Sequence, residues 1–183
     1  MLNATINSDK IFLFKQWKKH VFQLSLERGS IIMMPKPPGG VQLKAYIEFL
    51  KSLEVDCVVS LLQQHEIEQF SLAQEGNECH EQNIIFVNFP IQDHCVPQFF
   101  LPFNQLIEKL SQALNKNKII AIHCYAGIGR TGITAASLLI KNGVQVDLAL
   151  MDLSKTRGLR VPETLEQITW LHRHKEQLQE SLL

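Results

Sequence analysis

Hydrophobic positions along this chain fall into two kinds of run. Some are short apolar stretches rich in β-branched residues, and others are longer segments with apolar residues three or four apart. Residues 55–60, 84–87 and 118–122 are of the first kind and read as buried strands. Residues 41–53 and 103–114 read as helices, as does 130–142, which carries Ala and Leu and meets a stop signal at Asn142-Gly143. Gly132, Ile133 and Thr134 weaken that helix locally, but packing against a sheet outweighs propensity. The strongest punctuation, Met34-Pro35-Lys36-Pro37-Pro38-Gly39-Gly40, separates an N-terminal strand or hairpin from the first helix. The order of strands and helices predicts an α/β fold, with a central, mostly parallel sheet flanked by helices. With 183 residues, 45% of them hydrophobic, the chain is long enough for one well-filled core and short for two. One structural domain is expected, with residues 1–28 as a strand or hairpin extension and 29–183 as the main body.

The strand at 118–122 runs into His123-Cys124-Tyr125-Ala126-Gly127-Ile128-Gly129-Arg130-Thr131-Gly132, which sets one thiol, one guanidinium and three glycines in a strand-to-helix turn. Backbone N–H groups over Tyr125, Ala126, Gly127, Ile128 and Gly129 converge in such a turn and meet the positive end of the helix dipole, which suits a phosphate. The fork of Arg130 matches two phosphate oxygens in one plane, as a lysine does not. Cys124 lies at the floor of this cradle, where dipole, amides and Arg130 all favour thiolate over thiol, so it is a candidate nucleophile. Chance occurrence of the pattern in a chain this long is on the order of one in ten thousand, which argues against a merely structural cysteine.

At these residues the chain resembles the cysteine-dependent protein tyrosine and dual-specificity phosphatases, whose signature is His-Cys-x-x-Gly-x-x-Arg-Ser/Thr. The resemblance implies a protein tyrosine phosphatase-like fold, with Cys124 as the phosphoryl acceptor and Arg130 as the phosphate clamp. It also implies that Thr131 donates its hydroxyl to the Cys124 thiolate as the phosphoenzyme breaks down, and that His123 orients the loop from behind.

The leaving oxygen needs a proton, and a positioned acid contributes about 10²–10⁴-fold. Asp93 lies on a proline-bounded loop, Asn88-Phe89-Pro90-Ile91-Gln92-Asp93-His94-Cys95-Val96-Pro97, just past the strand at 84–87. The family carries its acid in an equivalent loop, which marks Asp93 as general acid, with His94 the nearby rival. A basic segment containing Arg157 and Arg160 precedes Gln167. It resembles the corresponding part of kinase-associated phosphatase-like bacterial dual-specificity phosphatases, and the likeness extends over residues 29–180. That resemblance implies that Gln167 positions the hydrolytic water and that Arg157 or Arg160 meets substrate or braces the loop.

Eighteen basic and eighteen acidic side chains balance, which gives no sign of a nucleic-acid partner. No apolar run reaches the ~18 residues of a membrane span, and no cleaved leader is read. Cys57, Cys79, Cys95 and Cys124 lack framework or zinc-ligand spacing, so neither a metal nor any other cofactor is expected. A reactive thiol must stay reduced, which points to a cytoplasmic setting. The expected substrate is a phosphorylated protein or peptide, and the expected state a monomer. The uncharged loop interior favours a single phosphate over a phosphoinositide or inositol polyphosphate, the main alternative. A non-catalytic phosphoprotein-binding module is the alternative of another class.

Overall fold

The computed structural model describes residues 2–180, with side chains from Lys10 onward. Met1 and residues 181–183, the outer ends of the two segments read from the sequence, lie outside the described residues. The strands are β1 (Phe22–Ser25), β2 (Ser30–Met34), β3 (Cys57–Ser60), β4 (Ile85–Asn88) and β5 (Ile119–His123), in the sheet order β1-β2-β5-β3-β4. β1 runs antiparallel to β2, and β2–β5, β5–β3 and β3–β4 are parallel.

Parallel strands covered on both faces need apolar residues at every position, which explains the unbroken runs at β2, β3 and β5. Alternation divides each strand between two cores. Ile31, Met33, Cys57, Val59, Ile120 and Ile122 enter one core, and Ile32, Met34, Val58 and Ala121 the other. The first face is covered by α5 (Phe100–Leu114), α6 (Gly129–Lys141), α7 (Val146–Arg157) and α8 (Leu165–Gln179). The second is covered by α1 (Leu2–Lys18), α2 (Leu43–Ser52), α3 (Gln64–Gln69) and α4 (Glu75–Glu81). The expected α/β fold with a mostly parallel sheet is the one observed. α6 ends where Asn142-Gly143 predicts, with Gly143 in the left-handed region at φ 87°.

The amino-terminal segment differs from expectation. Residues 1–28 read as strand or hairpin, yet α1 occupies most of that span, and the β1–β2 hairpin straddles its far boundary. The cause is tertiary packing. Phe14 and Trp17, one helical turn apart, meet Phe49 at ring-centroid distances of 5.2 and 5.8 Å, and Trp17 meets Tyr46 at 5.1 Å. Among the described residues, no helix is long and apolar enough to cross a membrane.

Replacing Trp17 with alanine should lower unfolding free energy by about 2 kcal/mol through lost aromatic packing. Urea denaturation measures this, and an unchanged midpoint would show that α1 is not docked as described.

Candidate active site

Cys124 follows β5 directly and is 2% exposed, and the chain then turns through residues 125–128 into α6. Gly127 makes the turn possible. Its φ is +70°, and a Cβ there would collide with the backbone of Met34, which ends β2, and of Pro35 after it.

The carbonyls of the turn are tied on its outer side. Lys36 N–H donates to the Tyr125 oxygen at 3.0 Å, while Arg157 donates through Nη2 to Ala126 at 3.1 Å and through Nε to Gly127 at 3.2 Å. Within a planar trans peptide the following N–H points opposite to the carbonyl. The N–H groups of Ala126, Gly127 and Ile128 therefore face inward. This is the cradle geometry expected from the glycines.

Arg130, in the first turn of α6, is 1% exposed. Its Nη1 and Nη2 donate to Glu66 Oε2 and Oε1 at 2.7 and 2.9 Å, and Nη2 also lies 2.9 Å from Asp93 Oδ1. Nη1 reaches the Ile91 carbonyl at 3.1 Å as well. Burial opposes the charge on Arg130. The hydrogen bonds that Arg130 donates to Glu66 and the charges of Cys124, Glu66 and Asp93 outweigh it and hold its pKa above the usual guanidinium value. Arg130 Nε and Thr131 Oγ1 are buried with no hydrogen-bond partner among the described residues. Two donors are thus unspent beside Cys124.

Asp93 reaches Arg130 from a tight turn in which Gln92 O accepts from Cys95 N at 3.0 Å. The loop is anchored by Phe89 and Ile91 N–H groups donating to Ser60 and Leu61. His94, left-handed at φ 59°, points its ring between Asp93 and Glu163, at 3.5 and 3.6 Å.

The family model for a phosphatase of polymorphic toxin systems (Tc-R-P, DSP-PTPase phosphatase) matches residues 34–144. The chain belongs to this phosphatase family. The matched span includes Glu66, Asp93, Cys124 and Arg130 and stops short of Arg157, Arg160 and Gln167. Cyclin-dependent kinase inhibitor 3 of Sus scrofa is 29% identical over 133 residues, covering 72% of this chain and 62% of the relative. The chain therefore aligns with less than two thirds of that protein's length. A tyrosine phosphatase named 197R from invertebrate iridescent virus 6 is 28% identical over 137 residues, covering 73% and 48%. Kinase associated phosphatase, solved with serine in place of its catalytic-site cysteine, superposes with a TM-score of 0.79 at 23% identity, over 89% of this chain and 97% of that one. The shared fold is the protein tyrosine phosphatase-like one.

Beyond the family-matched span, Arg157 serves as a brace. Its guanidinium holds two loop carbonyls and lies 4.1 Å from the Phe22 ring, and burial pulls its pKa below the usual value despite the attraction of Cys124. Arg160 is exposed and makes no contact of this kind. Gln167 is fully buried, with Oε1 accepting from Thr164 N at 3.3 Å and Nε2 donating to Cys95 O at 3.1 Å. These two bonds join α8 to the Asp93 loop and leave one N–H of the amide uncommitted. Cys57 pairs in register with Ile120, four residues before Cys124, a separation of about 13 Å along the strand, too long for a disulfide.

Glu66 was not singled out by sequence reasoning. The signal was present but faint. Gln63 N donates to Glu66 Oε2 at 2.9 Å, a capping arrangement three residues apart that a bare Gln-x-x-Glu announces weakly.

Burial works against the Glu66 carboxylate, but its bonds to Arg130 and Gln63 hold its pKa below the ordinary 4.5. A depressed folded value means that Glu66 stabilises the fold fully above 4.5 and ceases to do so as pH falls through the lower folded value. Urea melts from pH 7 to pH 3 should show wild type losing stability relative to Glu66→Gln below about 4.5, and parallel curves would contradict the pairing.

Proposed function

We propose that this chain is a phosphomonoester hydrolase that works through a phosphocysteine intermediate and acts on phosphotyrosine or, with dual specificity, on phosphorylated proteins generally. The observation that carries the reading is the meeting of Asp93 and Cys124 at one buried guanidinium, Arg130, whose Nε is unspent.

Substrate phosphate enters the cradle and takes hydrogen bonds from the inward N–H groups and Arg130. A dianion cannot share Nη2 with Asp93, so the Asp93 carboxyl moves off Arg130 and comes to lie beside the leaving oxygen. Clear of Arg130, the Asp93 carboxylate takes a proton from solvent. The Cys124 thiolate attacks phosphorus in line, the bond from phosphorus to the leaving oxygen breaks, and Asp93 passes its proton to that oxygen. Water then attacks the phosphocysteine and yields a proton to Asp93. The phosphorus–sulfur bond breaks, and the unspent hydroxyl of Thr131 donates to the departing thiolate. Arg157 keeps the loop carbonyls turned outward throughout, and Gln167 keeps the acid loop docked. The uncharged interior from Tyr125 to Gly129 suits one phosphate.

Cys124→Ser should abolish hydrolysis of para-nitrophenyl phosphate, and Asp93→Ala should lower kcat by about 10²–10⁴-fold. Asp93→Ala should bind vanadate as well as wild type or more tightly, because a competitor for Arg130 is gone. Wild-type turnover in Cys124→Ser would sink the mechanism, and unchanged turnover in Asp93→Ala would reassign the acid to His94.

A further inference from the structure

Two ionisable side chains behind the loop are used by no step of that reaction. Glu75 on α4 is 1% exposed, His123 is fully buried, and Glu75 Oε1 lies 2.9 Å from His123 Nε2. The contact lacks the alignment of a hydrogen bond, and neither atom has another partner among the described residues, so charge is what remains to compensate their burial. The meeting follows from strand alternation. Ile120, Ile122 and Cys124 turn to one core, while Ala121 turns to the other, on the face where α4 packs and His123 meets Glu75.

A carboxylate removed from water costs several kcal/mol unless an opposite charge replaces its hydration. The other titratable groups facing Glu75 are the phenol of Tyr46 on α2 and the thiol of Cys79 one turn along α4. Burial, reinforced by Glu75, pushes both upward, Cys79 to about 12, and neither supplies positive charge. The imidazole does. Its Nδ1 faces the Cys124 carbonyl oxygen at 3.4 Å, and a carbonyl only accepts, so that nitrogen carries a proton. A deprotonated Nε2 would set its lone pair against an ionised Glu75 oxygen 2.9 Å away, a repulsion that a proton on Nε2 turns into attraction.

We propose that Glu75 is a positioning residue that holds His123 as imidazolium, fixing a positive charge and a tethered Cys124 carbonyl directly behind the nucleophile. The inference rests on the reading of Cys124 as the attacking group. Arg130 and Arg157 supply the positive charge on the loop's other sides, partly offset by Glu66 and Asp93 on Arg130. A cation on the β5 side, one residue from the thiol, adds to the pull toward thiolate.

Nitrogen–proton correlation spectra of wild-type protein at pH 7 should show both His123 ring nitrogens protonated, and Glu75→Gln should leave one. Iodoacetamide modification of Cys124, mapped by mass spectrometry from about pH 4 to 9, should have its half-point raised by about one pH unit in Glu75→Gln. Adding Glu75→Gln to His123→Asn should raise it no further, since the carboxylate acts through the ring. A wild-type ring with a single proton, an unmoved half-point in folded Glu75→Gln, or additive shifts would each overturn the proposal. If Glu75→Gln fails to fold, the wild-type spectrum decides alone. These readouts need no turnover, so an inactive wild type would refute the hydrolase reading without touching this one.

Discussion

Arg130 brings a permanent charge into an interior that penalises it, and much of the surrounding structure answers that cost. A guanidinium cannot shed its proton to escape burial. Its partners therefore come from three separate stretches of chain: Glu66 from α3, Asp93 and the Ile91 carbonyl from the loop after β4, and more distantly the Leu61 carbonyl after β3. Losing a partner from such a buried pair typically costs 3–5 kcal/mol, far more than an exposed ion pair contributes. The same contacts that stabilise the fold thus set the position of the clamp. Glu66 holds two of its nitrogens in one plane, and only the Asp93 contact, on a half-exposed side chain, is open to exchange for a ligand.

Orientation of the loop amides is the second constraint, and it comes from outside the loop. Three consecutive carbonyls are held outward by Lys36 N–H and Arg157, and the planar peptide turns the following N–H groups inward. Gly127 lets the β2 exit strand approach closely enough for this, since any side chain there would meet Met34 and Pro35. Arg157, which the resemblance marks as meeting substrate or bracing the loop, is part of the loop's wall.

Local pattern made much of this legible. The signature turn, the strand before it and the helix stop at Gly143 depend on neighbours in sequence, and Asp93 stood out by its proline-bounded loop and the family resemblance. Glu66 and Glu75 were not legible in this way. Glu66 meets Arg130 across 64 residues, and Glu75 meets His123 from a helix packed on one face of the sheet, so each pairing exists only once strand order and register are set. α1 escaped for the same reason, because Phe14 and Trp17 are ordered by Tyr46 and Phe49 on another element. The bonds of Gln167 to Thr164 and Cys95 tie α8 to the Asp93 loop, and the second of them spans 72 residues that no local pattern connects.

Strand order also explains why three carboxylates gather around one turn. β5 is central, with β2 and β3 parallel to it on either side and β4 beyond β3, so the connections leaving all four strands emerge along one edge of the sheet. That edge, at the carboxyl ends of the strands, is where open α/β sheets take ligands. The exit from β2 supports Tyr125 and Gly127, the exit from β3 leads to Glu66, and the exit from β4 carries Asp93. Pleating then sorts the charges by face: Cys124 turns toward the core beneath α5 and α6, and His123 meets Glu75 on the face of α2 and α4. A one-residue slip of β5 would reverse both assignments at once, so the register that buries Ile120 and Ile122 is also what aims the thiol.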